Sequence, residues 1–243
     1  MTQNETSQDA LLGGRVAYKQ FHQGHRSGFE PVLMAAFVAA RGHERVLEVG
    51  TGAGAALLCL AARVPGVEAV GVERDPRLVA LALRNFTDNG FDHLSAVTGD
   101  ATCLPFAAQT FRHVMANPPW FGMHNTLPAD AGRALAHHAA PASLGAWVAE
   151  MLRVLRDKGS ITLALPAFAY AEAVSSLRPA CGGITLLPLW PRQGAKAKLL
   201  LLQAHKASHA PDSILPGLIL HDENGITPQA DAILRQGLAL VAG

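Results

Sequence analysis

Residues 45–55 read RVLEVGTGAGA, a short apolar run that stops at Gly50, Gly52 and Gly54 before AALLCLAARV (55–64) begins. The run is β-branched and aliphatic, as a buried strand requires, and the segment after the glycines has helical character. Glycines at such a junction let the chain turn tightly and let backbone amides approach a ligand. The same alternation continues outward. VEAVGVE (67–73) predicts a second strand, and DPRLVALALRNFTDNG (75–90) predicts a helix capped by Asp75, with Pro76 in its first turn and Gly90 as its stop. LSAVTGD (94–100) and FRHVMA (111–116) predict strands three and four. PASLGAWVAEMLRVLRDKG (141–159) predicts an amphipathic helix ending at Gly159, followed by a strand, SITLAL (160–165), and a helix, YAEAVSSLR (170–178).

Repeated strand–helix alternation defines an α/β fold, a doubly wound, Rossmann-like sheet of seven strands, mostly parallel. The last two strands lie in GITLLPLW (183–190) and KAKLLLLQAHK (196–206). Only PRQGA joins them, too short for a crossover helix, so they form a C-terminal antiparallel hairpin. Ligands of such sheets bind at the carboxyl ends of the strands, near the point where the strand order reverses.

Composition narrows the class. A 243-residue chain that is 49% hydrophobic can build one substantial core. The reading is one domain over 1–243, with polar residues 1–12 disordered and 13–43 forming a segment that caps the site. The start, MTQNETSQDA, lacks a basic-then-apolar leader, and apolar runs reach only about ten residues, well short of a membrane span. A cytoplasmic protein without a membrane partner is expected. Cys59, Cys103 and Cys181 form no CxxC, so neither a disulfide framework nor a metal site is expected. A net charge of +1 gives no global sign of a nucleic-acid partner, but two stretches lack acids. One, GGRVAYKQFHQGHRSG (13–28), carries Arg15, Lys19, Arg26, His22 and His25. The other, between Trp190 and Pro211, carries Arg192, Lys196, Lys198, Lys206, His205 and His209. Such patches meet phosphates by charge or are ordinary solvated surface. Oligomeric state is not legible.

Each of the first four strands ends in a polar or glycine-rich element. Gly50 to Ala55 satisfies Gly-x-Gly-x-x-Ala, yet Glu48 stands where a dinucleotide enzyme usually carries an apolar residue, and neither Tyr18 nor Tyr170 begins a Tyr-x-x-x-Lys. A carboxylate at Glu48 suits a cationic amino group. Glu73, ending the second strand, suits ribose hydroxyls, and Asp100, ending the third, suits an adenine amine. The fourth strand ends in ANPPWF (116–121). That sequence is either a strand stop or a grip on a flat, amine-bearing ring.

The ordered set VLEVGTGAGAALL, VGVERD, TGDA and NPPW resembles the class I S-adenosylmethionine-dependent methyltransferases. With the flanking GGRVAYKQFHQGHRSGFEPVLMAAFV and the tail from LPLWPRQGAKAKLLLLQAHK onward, the chain is similar to bacterial tRNA1(Val) adenine-37 N6-methyltransferases from about Gly13 to Leu240. The resemblance implies the class I fold and S-adenosyl-L-methionine as cofactor. It places Glu48, Gly50, Gly52 and Gly54 on the methionine part, Glu73 on the ribose and Asp100 on the adenine, with Thr51, Arg74 and Ala101 as further cofactor-binding residues. Arg26, Ser27 and Gly28 fall in the family's cofactor segment before the first sheet strand, where Phe29 replaces a small or aliphatic residue.

By the same resemblance, Asn117, Pro118, Pro119 and Trp120 are the catalytic tetrad, with Asn117 also next to the cofactor. Asn117 Oδ1 and the Pro118 carbonyl accept both N–H bonds of the target amine, Pro119 stiffens the turn, and Trp120 stacks on the base. Trp120, Phe121, Arg15, Lys19, Arg133, Arg192, Lys196 and Lys198 are the substrate-side candidates, with RNA, foremost tRNA, as partner. His124, His137 and His138 accompany Arg133 in a segment that could cover the target. A protein-glutamine or small-molecule N-methyltransferase with the same tetrad is the alternative, and a non-catalytic binding scaffold is a third reading.

Overall fold

The computed structural model describes residues 5–23, 26–119 and 143–240. It opens with an antiparallel hairpin, β1 (Thr6–Leu11) against β2 (Val16–Phe21), with Thr6 opposite Phe21 and Leu11 opposite Val16. Residues 6–11 therefore depart from the disorder expected of 1–12. The reason is a local polar network that the composition hides. The Asp9 carboxylate accepts from the Ser7 hydroxyl (2.7 Å), the Gln20 amide (2.7 Å) and the Arg26 guanidinium (2.9 Å). Strand β2 meanwhile buries Val16 and Tyr18.

The sheet is built by α1 (Glu30–Phe37), β3 (Arg45–Val49), α2 (Ala55–Arg63), β4 (Glu68–Glu73), α3 (Pro76–Asp88), β5 (Leu94–Thr98) and β6 (Phe111–Ala116). After the interruption come α4 (Leu144–Val154), β7 (Leu155–Pro166), α5 (Tyr170–Leu177), β8 (Cys181–Trp190) and β9 (Leu199–Lys206). Their order across the sheet is β5-β4-β3-β6-β7-β9-β8. Every pairing up to β7 is parallel, while β9 runs antiparallel to both β7 and β8. The expected hairpin is present. Two two-residue strands, β10 (Ser213–Ile214) and β11 (Leu218–Ile219), pair parallel with β8, so the sheet has nine strands where seven were expected. A small hairpin, β12 (His221–Asp222) with β13 (Gly225–Ile226), leads to α6 (Pro228–Leu234).

Side-chain alternation divides the core into two layers. Val46 of β3 packs with α1, α2 and α3, whereas Leu47 and Val49 pack with α4 and α5. The chain steps outward from β3 to β5, then returns to β6 on the other side of β3. The strand order thus reverses between β3 and β6, and the ends of these two strands form the crevice. Asp75 caps α3 by accepting from the Arg77 amide at 2.9 Å, with Pro76 at the first helical position.

Helix α4 stops at Val154 rather than at Gly159. Leu155 pairs with Phe111, the register slips, and Ser160 then pairs with His113. Gly159 serves this irregular strand, since a Cβ there would lie 2.7 Å from the Arg112 carbonyl oxygen. Glu150 and Arg153 of α4 strap down the connection before β6. Glu150 accepts from the Leu104 amide, and Arg153 donates to the carbonyls of Leu104 and Phe106, each at 2.8 Å.

Candidate active site

The turn after β3 is held against β4, with the Gly50 and Thr51 amides donating to the Val72 carbonyl at 2.8 and 3.0 Å. Gly50 and Gly54 need to be glycine for two reasons each. Both have positive φ, +76° and +87°, and added Cβ atoms would lie 3.1 Å from the Trp147 ring and 2.5 Å from the Phe86 ring. Beside this turn sits Glu48, 4% exposed, accepting a 2.6 Å hydrogen bond from the Thr51 hydroxyl. Burial pushes its carboxyl up to about 8; Thr51 opposes the rise and the nearby Glu73 charge adds to it. Among the described residues, none of the groups that shift it is cationic.

The N-terminal hairpin brings Tyr18 near Glu48. Tyr18, 2% exposed, is pushed up to about 12 by burial, with the Glu48 charge among the further causes, and its hydroxyl lies 2.9 Å from that of Ser27. The Ser27 amide donates to Gln20 Oε1 at 3.0 Å. Arg26 is exposed and engaged with Asp9 and Ser7, so its guanidinium is turned to the hairpin. Gly28 follows at once, just before α1.

Glu73 ends β4 and ties two loops together, accepting from the amides of Gly52 (3.0 Å), Arg74 (2.8 Å) and Asp75 (3.0 Å). Asp100 lies just past β5, where hydrogen bonds from the Thr102 hydroxyl and amide hold its carboxyl below the usual range. Ala101, next to it, packs on the α4–α5 side of the core, and Arg74 is exposed.

Val49 pairs with Ala116, so the residues immediately beyond them, Gly50 and Asn117, stand side by side at the edge. Asn117 is half-buried, Pro118 buried and Pro119 exposed. Glu48, the glycine turn, Glu73, Asp100 and Asn117 thus share the carboxyl edge, as expected. Trp120, Phe121 and Arg133, with His124, His137 and His138, lie outside the described residues.

The basic candidates separate. Arg192, Lys196 and Lys198 are exposed between β8 and β9, at the carboxyl edge, because Leu199 pairs with Pro166 at the end of β7. Lys206 is carried to the opposite edge, where it donates to the Leu152 and Leu155 carbonyls at 2.8 Å. The stretch from 192 to 206 is therefore not one patch, because β9 crosses the sheet between its ends. Lys19 pairs with Asp88 on α3, and Arg15 donates to the Gln236 carbonyl. Among the described residues, no group of His, Cys, Asp and Glu is placed to hold a metal, and no helix is long and apolar enough to cross a membrane.

Sequence reading missed three aromatics. Trp147 reads as a core residue of an amphipathic helix, but its ring lies against Gly50. Phe168 and Tyr170 just beyond β7 are exposed, and nothing in their local sequence announces it. A solvent-open recess lined by Arg45, Glu68, His93 and Ser95 lies at the amino ends of β3–β5, away from these groups.

The profile of a family described as a methyltransferase domain matches residues 46–159. The protein of Actinobacillus succinogenes named tRNA1(Val) (adenine(37)-N6)-methyltransferase is 31% identical over 163 residues, covering 64% of this chain and 69% of the relative. Among solved structures, a predicted O-methyltransferase from Agrobacterium tumefaciens superposes with a TM-score of 0.72 at 24% identity, covering 87% of this chain and 97% of that one. A geranyl diphosphate C-methyltransferase from Streptomyces coelicolor, solved with S-adenosyl-L-homocysteine, gives 0.54 at 12% identity, over 73% and 78% of the two chains. The fold, the matching methyltransferase profile and the named relative together make this an S-adenosyl-L-methionine-dependent methyltransferase of class I. Within that class, the chain belongs to the family of the bacterial tRNA1(Val) (adenine(37)-N6)-methyltransferases.

Proposed function

We propose that this enzyme methylates N6 of an adenine in RNA, namely position 37 of a valine tRNA, as its relatives' names state for them. The observation that carries the proposal is the placement of Asn117 beside Gly50, next to a buried carboxylate with no cationic partner among the described residues. The donor set fits the cofactor. Glu48 would take the ammonium of the methionine tail, the Gly50–Gly54 turn (with Thr51) would lie along that tail, Glu73 and Arg74 would meet the ribose, and Asp100 and Ala101 the adenine. Residues 13–43, through Ser27 and Gly28, would cap it. When bound, S-adenosyl-L-methionine supplies an electrophilic methyl group on a sulfonium.

An exocyclic amine is a weak nucleophile because its lone pair is delocalised into the ring. In the proposed mechanism Asn117 Oδ1 and the Pro118 carbonyl accept its two N–H bonds, draw the nitrogen toward tetrahedral geometry and aim the lone pair. Pro119 fixes the backbone, and Trp120 stacks on a base that has left its own stack. Positioning and electrostatics carry the rate, and no base needs to remove a proton beforehand. Arg15, Lys19, Arg133, Arg192, Lys196 and Lys198 are the proposed phosphate contacts, and Phe121 borders the base. The enzyme would act in the cytoplasm, where its substrate is found. The test is methyl transfer from labelled cofactor to tRNA, with the modified nucleoside identified after digestion. Label appearing only in peptide or metabolite would favour the alternative substrate class.

A further inference from the structure

Among the exposed large apolar residues of the described chain, Phe168 (61% exposed) and Tyr170 (39%) are the aromatic ones, and they stand two positions apart. Scattered exposed aliphatics need no explanation, but two exposed aromatics on one short turn are candidates for ligand contact. Both follow β7 at the carboxyl edge, and the Ala167 amide donates to the Lys198 carbonyl at 2.9 Å. The loop bearing Lys196 and Lys198, both exposed, therefore runs beside the rings. Neither lysine makes an ion pair or hydrogen bond through its side chain with a described residue.

The register ties this surface to Asn117. Ala116 pairs with Leu163, so Asn117 stands opposite Ala164, four residues before Phe168. Chain reach and strand spacing keep Phe168 within roughly 15 Å of Asn117. A strand of nucleotides running from the tetrad toward the β8–β9 loop would cross the two rings. Exposed rings beside basic side chains are the composition of a single-strand nucleic-acid site, where bases stack and phosphates are neutralised. An acidic peptide could use the lysines but has no such use for two ring faces.

We propose that Phe168 and Tyr170 form a stacking platform for unpaired bases flanking the target adenine, with Lys196 and Lys198 holding the phosphates between them. This rests on the RNA reading above. The test uses the full chain, an unmodified valine tRNA and a labelled single-stranded oligoribonucleotide. Phe168→Leu and Tyr170→Leu should each weaken RNA binding and raise KM for tRNA by about 5- to 100-fold. Cofactor affinity and kcat at saturating tRNA should stay within about twofold, and Phe168→Trp should retain binding. Lys196→Gln with Lys198→Gln should lower the salt dependence of RNA affinity by about 1.4 in log–log slope. If wild-type protein methylates tRNA and Phe168→Leu binds it equally well, the platform alone is overturned. Equal loss of cofactor and RNA binding in Phe168→Leu would mark a structural role and also overturn it. Wild-type protein that binds no RNA, or prefers an acidic peptide, overturns the platform together with the RNA reading.

Discussion

The Thr51 hydroxyl donates to the Glu48 carboxyl across 2.6 Å, and Glu48 is only 4% exposed. With burial pushing that carboxyl up to about 8, it is largely protonated at neutral pH until a cation arrives. Binding of S-adenosyl-L-methionine should then release close to one proton near pH 7, and affinity should rise with pH before levelling above about 8. Calorimetry in buffers of different ionisation enthalpy counts the proton, and a count near zero would remove Glu48 from the ammonium site.

The same carboxyl links pH to stability. Its folded value lies above its ordinary 4.5, so the stability it contributes is fully present below 4.5 and is lost as pH rises through about 8. Glu48→Gln should flatten that loss, raising the melting temperature at pH 8.5 while weakening cofactor binding at least tenfold. Melting curves of ligand-free protein from pH 5 to 9 provide the check.

Gly54→Ala should be the most damaging small change in the turn. It combines a positive φ with a Cβ 2.5 Å from the Phe86 ring in a filled core, and should cost about 2–4 kcal/mol. Gly50→Ala meets Trp147 at 3.1 Å, and that half-buried ring can shift. Its effect should fall mainly on cofactor affinity, with Trp147→Ala partly relieving it. Denaturant unfolding together with cofactor titration separates the two.

His113 joins the Ser160 hydroxyl (2.7 Å) and the Glu44 carboxylate (3.0 Å) at the edge opposite the site. Its replacement by Ala should cost about 1–3 kcal/mol of stability by leaving the buried Ser160 hydroxyl without this partner, with kcat unchanged. Burial holds the imidazole below its ordinary range, so its contribution to stability is lost as pH falls below about 6.5. A large loss of kcat in a stably folded His113→Ala protein would contradict this purely structural role.

The alternation of strands and helices, the terminal antiparallel hairpin and the carboxyl-edge carboxylates were legible because they follow from periodicity, capping and connection length. What escaped depends on contacts between distant segments. Thr6–Leu11 is polar enough to read as disorder, yet pairs with β2 through the Asp9 network. Gly159 reads as a helix stop, yet α4 has already ended at Val154 and the glycine admits the Arg112 carbonyl. Lys206 and Lys198 are close in sequence, but β9 carries them to opposite edges. Trp147 is indistinguishable from its apolar neighbours until Gly50 is placed against it.

Asn117 is proposed to grip an RNA adenine amine. The most direct measurement incubates wild-type and Asn117→Ala protein with labelled S-adenosyl-L-methionine and unmodified tRNA, digests the RNA and identifies the labelled nucleoside. The wild type should yield N6-methyladenosine. Asn117→Ala should react at least 100-fold more slowly, with cofactor affinity within about threefold. Wild-type protein that binds the cofactor but leaves tRNA unlabelled, or Asn117→Ala protein that methylates at the wild-type rate, would contradict it.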